Sequence, residues 1–308
     1  MTAPVRMGVI GLGKISVDQH LPAIRTSDRF VLAGGVSPLR PVEEVRLFES
    51  VEAMLASDDV DAVAVNTPPQ VRHGIARAAL LAGKDVLLEK PPCASTAAVE
   101  DLSQLAAEHG AVLYTAWHSQ HAPGVEAARN WLTSREPRDV RMEWCEDLRQ
   151  WHPGQAWIWE PGGLGVFDPA INGLSILTRI LPRPLILDQG SLDVPANRQT
   201  PVAADLRGTV GEKGRFSGQL DFLRQGRQAW SIEIESDDGR LRLEDGGAAL
   251  YINDVAVPVG ESREYASIYA RFADLIANRR SEVDIAPLRL VADVFLISQR
   301  VEVEPFIE

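Results

Sequence analysis

Along the first part of the chain, apolar residues gather in short unbroken runs: Val5–Ile10, Phe30–Val36, Asp61–Val65, Asp85–Glu89 and Val112–Thr115. Runs of this length, with no polar alternation, read as strands buried on both faces. Helical periodicity fills the gaps. One helix runs to about Arg25, a second spans Gln70–Ala82 and stops at Gly83, and a third spans Ser95–Glu108. Strict alternation of strand and helix predicts a doubly wound sheet of about six parallel strands.

The pattern changes after Pro123. A helix over Gly124–Thr133 leads into a longer strand, Asp139–Asp147, and a glycine-rich passage at Glu160–Gly165 precedes a helix over Asp168–Ile180. From about Pro184 to Val259 the chain reads as extended segments joined by turns such as Asp237-Asp238-Gly239 and Asp245-Gly246-Gly247. Helices near Glu264–Asn278 and Pro287–Gln299 follow. The expected architecture is α/β: an N-terminal Rossmann dinucleotide-binding domain over residues 1–122, then an α+β domain over 123–308 with a large, mostly antiparallel sheet. The final helix is expected to pack back on the first domain, and the active site to lie between the two domains.

Composition narrows the partners. At 308 residues the chain is long enough for two domains. A net charge of −12 disfavours nucleic acid and anionic membranes. No apolar run reaches the roughly 18 residues of a membrane span. The N-terminus enters a strand directly, without the layout of a signal peptide, so a cytoplasmic protein is expected. Cys93 and Cys145 lack metal-ligand spacing and are too few for a disulfide framework, and the six histidines are scattered. No metal is expected.

Candidate chemistry begins at Gly11-Leu-Gly13-Lys-Ile-Ser16, between the first strand and the first helix. Gly11 permits the tight turn, Gly13 lets the backbone approach a pyrophosphate, and a small serine replaces the third glycine. Lys14 and Ile15 belong to the same loop, and Thr67-Pro68 ends the third strand beside it. An NAD site usually carries an acid about 20 residues beyond the loop. Here the second strand ends in Val36-Ser37-Pro38-Leu39-Arg40, with no acid. Ser37 and Arg40 suit a 2′-phosphate, so NADP is the preferred cofactor and NAD the alternative. The bland alternative is an Arg40 that points to water.

Glu89-Lys90-Pro91 closes a buried strand at the sheet edge where open α/β folds bind ligands. A partly desolvated lysine there can exchange a proton near neutral pH. Further along, Asp168 and Asn172 share a helix face at i,i+4, although Asp168 also suits an N-cap. His118 follows the last parallel strand. Glu146 and His152 flank a polar turn among Trp151, Trp157 and Trp159, and Trp230 falls in the predicted second sheet. Tryptophans beside polar groups suit a sugar, and core packing is their ordinary alternative.

Taken together, these residues resemble the glucose–fructose oxidoreductase/inositol dehydrogenase (Gfo/Idh/MocA) family across essentially the whole chain. The resemblance rests on Gly11–Ser16, Thr67-Pro68-Pro69 with His73, Gly83–Pro91, and Gly162-Gly163-Leu-Gly-Val-Phe-Asp168. Trp151–Asp168 and Thr115-Ala-Trp-His118 resemble most the bacterial L-arabinose/D-galactose 1-dehydrogenase subgroup. The resemblance implies pyranose binding by Lys90, His118, Glu146, His152, Asp168 and Asn172; Trp230, read from its place in the sheet, either closes the site or fills the core. It implies a cis peptide before Pro91, and dinucleotide contacts from the loop, Thr67, Pro68, Glu89 and Lys90. Many members of the broad family carry histidine where this chain has Asn172. Asparagine cannot act as a base at neutral pH, so proton transfer falls to Lys90 or Asp168. The implied reaction is NAD(P)-dependent oxidation of the anomeric carbon of L-arabinose or D-galactose to the lactone. The alternatives are a non-catalytic sugar sensor of the same fold and an inositol or polyol dehydrogenase. A homodimer is expected, on the argument that a broad sheet leaves an apolar face in a monomer.

Overall fold

The computed structural model describes residues 3–37 and 42–307. The order begins β1 (Val5–Ile10), a π-helical turn (Ser16–His20), α1 (Leu21–Arg25), β2 (Phe30–Val36), α2 (Val51–Leu55) and β3 (Ala62–Val65). It continues α3 (Pro69–Leu81), β4 (Asp85–Glu89), α4 (Thr96–Glu108), β5 (Leu113–Ala116), α5 (Val125–Leu132), β6 (Pro137–Cys145) and α6 (Leu148–Trp151). After α7 (Phe167–Ile180) come β7 (Leu185–Pro195), β8 (Ala203–Val210), β9 (Gly214–Asp221), β10 (Ala229–Ser236), β11 (Gly239–Glu244), β12 (Ala249–Ile252) and β13 (Val255–Val257). The chain closes with α8 (Glu264–Ala277), α9 (Ala286–Ile297) and β14 (Gln299–Val303).

Two compact units result. The first comprises residues 1–118 and 264–285. Its parallel sheet has five strands in the order β2-β1-β3-β4-β5, where about six were expected. A sixth strand is reduced to one bridge, Tyr114 to Glu282, because only the backbone of Glu282 pairs alongside β5. Every residue of β3, β4 and β5 is buried, as unbroken apolar runs require when helices cover both faces of a sheet. Strand order reverses at β1, which pairs with β2 on one side and β3 on the other. The carboxyl ends of β1 and β3 therefore flank the crevice in which such sheets bind ligands.

The helix that returns to this unit is α8, not the final helix. Tyr265, Ile268, Tyr269 and Phe272 repeat at helical spacing and pack into the core that holds Phe30 and Tyr114. Phe272 stacks on Phe30 at 6.0 Å. The apolar stripe of α9 packs instead against α7 and β7, in the second unit.

The second unit, residues 119–263 and 286–308, is built on a nine-stranded sheet in the order β13-β12-β11-β10-β6-β9-β8-β7-β14. Its pairs are antiparallel except β6 with β9 and β14 with β7. The edge strand β14 falls in a charged segment, Gln299–Val303, that lacks a strand-like apolar run. Helix α7 lies close on β6: a Cβ at Gly173 would stand 2.6 Å from the Trp144 ring, so glycine is needed for that approach. Burial alternates strictly along β8, and the outward positions carry Asp205 and Arg207, with Arg141 and Gln219 exposed on neighbouring strands. These outward positions on the central strands are therefore polar. No helix among the described residues is long and apolar enough to cross a membrane.

Candidate functional site

In the first unit the glycine loop leaves β1 with Gly11 at φ +92°. A Cβ there would sit 3.0 Å from the backbone of Asn66 and Thr67, so the turn excludes side chains. At Gly13 a Cβ would meet nothing within 4 Å, which leaves its backbone open to a large anion. Ser16 does more than stay small. It is fully buried, its Oγ donates to the Gly11 carbonyl at 2.6 Å, and it accepts from Asn66 Nδ2 at 2.8 Å. Asn66 Oδ1 and Thr67 Oγ1 are buried without a protein partner. Orphaned polar atoms beside an open glycine backbone fit a phosphate-bearing dinucleotide. Ile15 is partly exposed, and Lys14 pairs with Asp18 one turn on, at the surface. Pro68 caps α3. Ser37 ends the described part of β2's tip, and Arg40 lies outside the described residues.

At the end of β4, Lys90 is half-buried and the Lys90–Pro91 peptide is cis, as the resemblance implied. Arg72, buried in α3, donates to the carbonyls of Thr67, Glu89 and Pro91, which pins the loop after β3 to the loop after β4. Glu89 turns inward. Its Oε1 accepts from the Tyr265 hydroxyl at 2.5 Å and lies 3.2 Å from His20 Nε2, and its Oε2 accepts from the Lys90 amide at 2.7 Å. Both oxygens are thus engaged within the protein. Burial, the largest single influence, pushes the Glu89 carboxyl up. The His20 bond and charge, the His118 charge and the Tyr265 bond outweigh it and hold the carboxyl at about 2. Burial and the Glu89 charge raise both Tyr265 and Tyr269 well above the usual tyrosine range, so both hydroxyls keep their protons. His118 Nδ1 lies 2.6 Å from Glu264 Oε2, and its ring stacks on Tyr265. Glu89 pairs with Ala116 across β4 and β5, so Lys90 and His118 leave the same sheet edge.

In the second unit the polar residues beyond β6 converge. Glu146 is buried, accepts from Trp230 Nε1 at 2.8 Å and lies 3.1 Å from His152 Nε2. The other ring nitrogen of His152 stands 3.6 Å from Asp168 Oδ2, beyond hydrogen-bond reach, and is buried without a bond of its own. The result is a carboxylate–imidazole–carboxylate row. Asp168 is not the N-cap: Val166 holds that position, and Asp168 lies buried in the first turn of α7. Asn172 follows one turn later, half-buried. The expected polar turn between Glu146 and His152 is the short helix α6, capped by Asp147. The tryptophans divide. Trp159 is core, packed on Phe222 and Phe306. Trp151 is exposed, meets Trp230 edge-on at 5.7 Å and donates to Gln228.

Sequence reasoning missed His20, Tyr265, Tyr269 and Glu264 around Glu89. The available signal was a carboxylate closing a buried strand, which must find donors. Among the described residues no group of His, Cys, Asp or Glu could hold a metal ion.

Residues 5–117 match the Gfo/Idh/MocA description, an oxidoreductase family with an NAD-binding Rossmann fold. The chain is 43% identical over 307 residues to the galactose 1-dehydrogenase of Pseudomonas fluorescens, covering 98% of this chain and 99% of that one. The crystal structure of a D-galactose-1-dehydrogenase from Rhizobium etli superposes with a TM-score of 0.94 at 44% identity, over 100% of this chain and 99% of that one. A 3-ketoreductase from Actinomadura kijaniata, solved with NADP and TDP-benzene, shares the fold: TM-score 0.84, 21% identity, 97% of this chain and 99% of that one.

Proposed function

The chain belongs to the Gfo/Idh/MocA family of oxidoreductases, and from that premise we propose that it is an NAD(P)-dependent aldose 1-dehydrogenase acting on D-galactose and L-arabinose. The near full-length likeness to a galactose 1-dehydrogenase carries the reading. The Glu146–His152–Asp168 row, with Trp230 bonded to it, supports it as a hydroxyl-reading surface. When bound, the dinucleotide supplies the hydride acceptor for C1. The residues of the chain bind, orient and take up the proton. Asp168, buried beside His152, or Lys90 at the end of β4, receives the anomeric hydroxyl proton as the C1–H bond breaks and the lactone carbonyl forms. Asn172 holds the C1 hydroxyl by its amide, and Glu146, His152 and His118 read hydroxyls around the ring. D-Galactose and L-arabinose differ by one substituent at C5, a difference typically worth about 1–3 kcal/mol in an apolar pocket, so both are expected to react.

The test is initial rates of reduced-nicotinamide formation with D-galactose, L-arabinose, D-glucose, D-xylose and myo-inositol, each with NADP and NAD. Turnover confined to galactose and arabinose supports the proposal. Turnover on myo-inositol alone would replace it with a polyol dehydrogenase. Cofactor binding without any turnover would replace it with a sensor. Lys90→Met, Asp168→Asn and Asn172→Ala are each expected to lower kcat, the acid–base variants by about 10²- to 10⁴-fold, with dinucleotide affinity retained.

A further inference from the structure

Glu89 is an ionised carboxylate at the end of a strand whose middle is Val86-Leu87-Leu88, and it is only 3% exposed. Replacing such a buried polar set as a whole by well-packed apolar residues is often neutral in stability, whereas removing Glu89 alone leaves His20 and Tyr265 without their acceptor. A buried charge there points to a task other than cohesion. Its partners come from two distant segments. His20 belongs to the π turn after the glycine loop, and Tyr265 belongs to α8. His20 extends the chain of contacts to Tyr269, whose hydroxyl lies 2.9 Å from Nδ1. A hydroxyl both donates and accepts, so it satisfies Nδ1 with or without its proton, while Nε2–H donates to Glu89. The rings of Tyr265 and Tyr269 meet His20 edge-on at 4.9 and 5.8 Å. At the other end, Glu89 Oε2 holds the Lys90 amide.

The π turn gives this arrangement its reach. Turns of this kind are rare and tend to mark functional sites. Ser16 and His20 bound it, and both are fully buried. Ser16 is tied to Gly11 in the dinucleotide loop, and His20 is tied to Glu89 beside Lys90. One rigid turn therefore connects the glycine loop to the lysine.

We propose that Glu89 is a positioning residue for Lys90, held by His20 and Tyr265, so that the seating of the dinucleotide loop and the aim of Lys90 are coupled through the Ser16–His20 turn. This inference rests on Lys90 taking part in the reaction.

The test compares Glu89→Gln, Tyr265→Phe and Lys90→Met. Glu89→Gln keeps the shape and an oxygen for the Lys90 amide but removes the charge. Tyr265→Phe removes one donor and nothing else. Turnover is measured at a temperature where circular dichroism shows each variant folded. Misplacement of a reacting group by about 1 Å costs up to about 10²-fold, so Glu89→Gln is expected to lower kcat about 10- to 100-fold, and Tyr265→Phe by less, with both KM values unchanged. A second readout needs no substrate. The chain has four lysines, Lys14, Lys84, Lys90 and Lys213, so an amine-reactive label can be followed residue by residue by peptide mass spectrometry. Lys90 labelling should speed up several-fold in Glu89→Gln while Lys213 stays constant. Full kcat together with an unchanged Lys90 labelling rate overturns the inference. So does a fall in kcat matched by an equal loss of dinucleotide affinity, which would make Glu89 structural. If Lys90→Met turns over normally, the catalytic reading of Lys90 fails, and the labelling rate alone decides whether Glu89 governs that lysine.

Discussion

Lowering the pH should strip the first unit of a contribution that Glu89→Gln removes outright. The Glu89 carboxyl falls from an ordinary value of 4.5 to about 2 on folding: burial opposes the change, and the His20 bond and charge, with Tyr265 and the charge of His118, overcome it. A drop of about 2.5 at 1.36 kcal/mol each is about 3 kcal/mol of folding free energy. The sign follows from the direction. A carboxyl with a depressed pKa in the fold stabilises fully above its unfolded value and loses that stabilisation as pH falls toward its folded value. The window is therefore pH 5 down to pH 2, and linkage leaves less than half of the contribution at pH 3. Asp59 and Asp61 are also lowered, by bonds to Arg46 and Arg6, but they are the same in both proteins and cancel in the difference. The assay is urea unfolding of wild type and Glu89→Gln at intervals from pH 7 to pH 3. The gap between the two should be about 3 kcal/mol at neutral pH and close on acidification. A gap that stays constant, or widens as the pH falls, would refute the argument that His20 and Tyr265 hold an ionised carboxylate.

Other perturbations separate binding from folding. Gly13→Ala meets no neighbouring atom, so its melting temperature should match wild type while its dinucleotide KM rises about tenfold, because a methyl group obstructs the close approach of a pyrophosphate; equal KM values would show that the loop is not used. Trp230→Phe removes the donor to Glu146 Oε2. A hydrogen bond to a charged group is worth about 1.5–3 kcal/mol, so the sugar KM should rise at least about tenfold, with dinucleotide affinity constant in a fluorescence titration. Arg40→Ala should raise the KM for NADP and spare that for NAD; an equal effect on both would remove Arg40 from 2′-phosphate recognition.

How far a sequence discloses such a molecule depends on the range of the interactions involved. The strands β1, β3, β4 and β5 were legible because a parallel strand is buried on both faces, and an unbroken apolar run is the local mark of that burial. The glycine loop was legible because its requirement is also local: φ +92° and a 3.0 Å approach at Gly11 admit one residue type. The strand β14 was not legible, since Gln299–Val303 is an exposed edge held by backbone pairing with β7, and backbone pairing leaves no pattern in side chains. Asp168 shows a subtler limit. Its place before a helical run suits a cap, but Val166 begins the turn, and the carboxylate is left to face His152. Glu89 marks the boundary between what a sequence demands and what it specifies. A carboxylate ending a buried strand must acquire donors or lose its charge, so partners were required by position 89 alone. Which partners they are depends on α8 returning more than 170 residues later, with Tyr265 176 positions away from Glu89. The same holds for the lysine beside it. Its strand-end location could be read from a few neighbouring letters, but what keeps it aimed is a contact between a turn, a strand and a helix that only folding brings together.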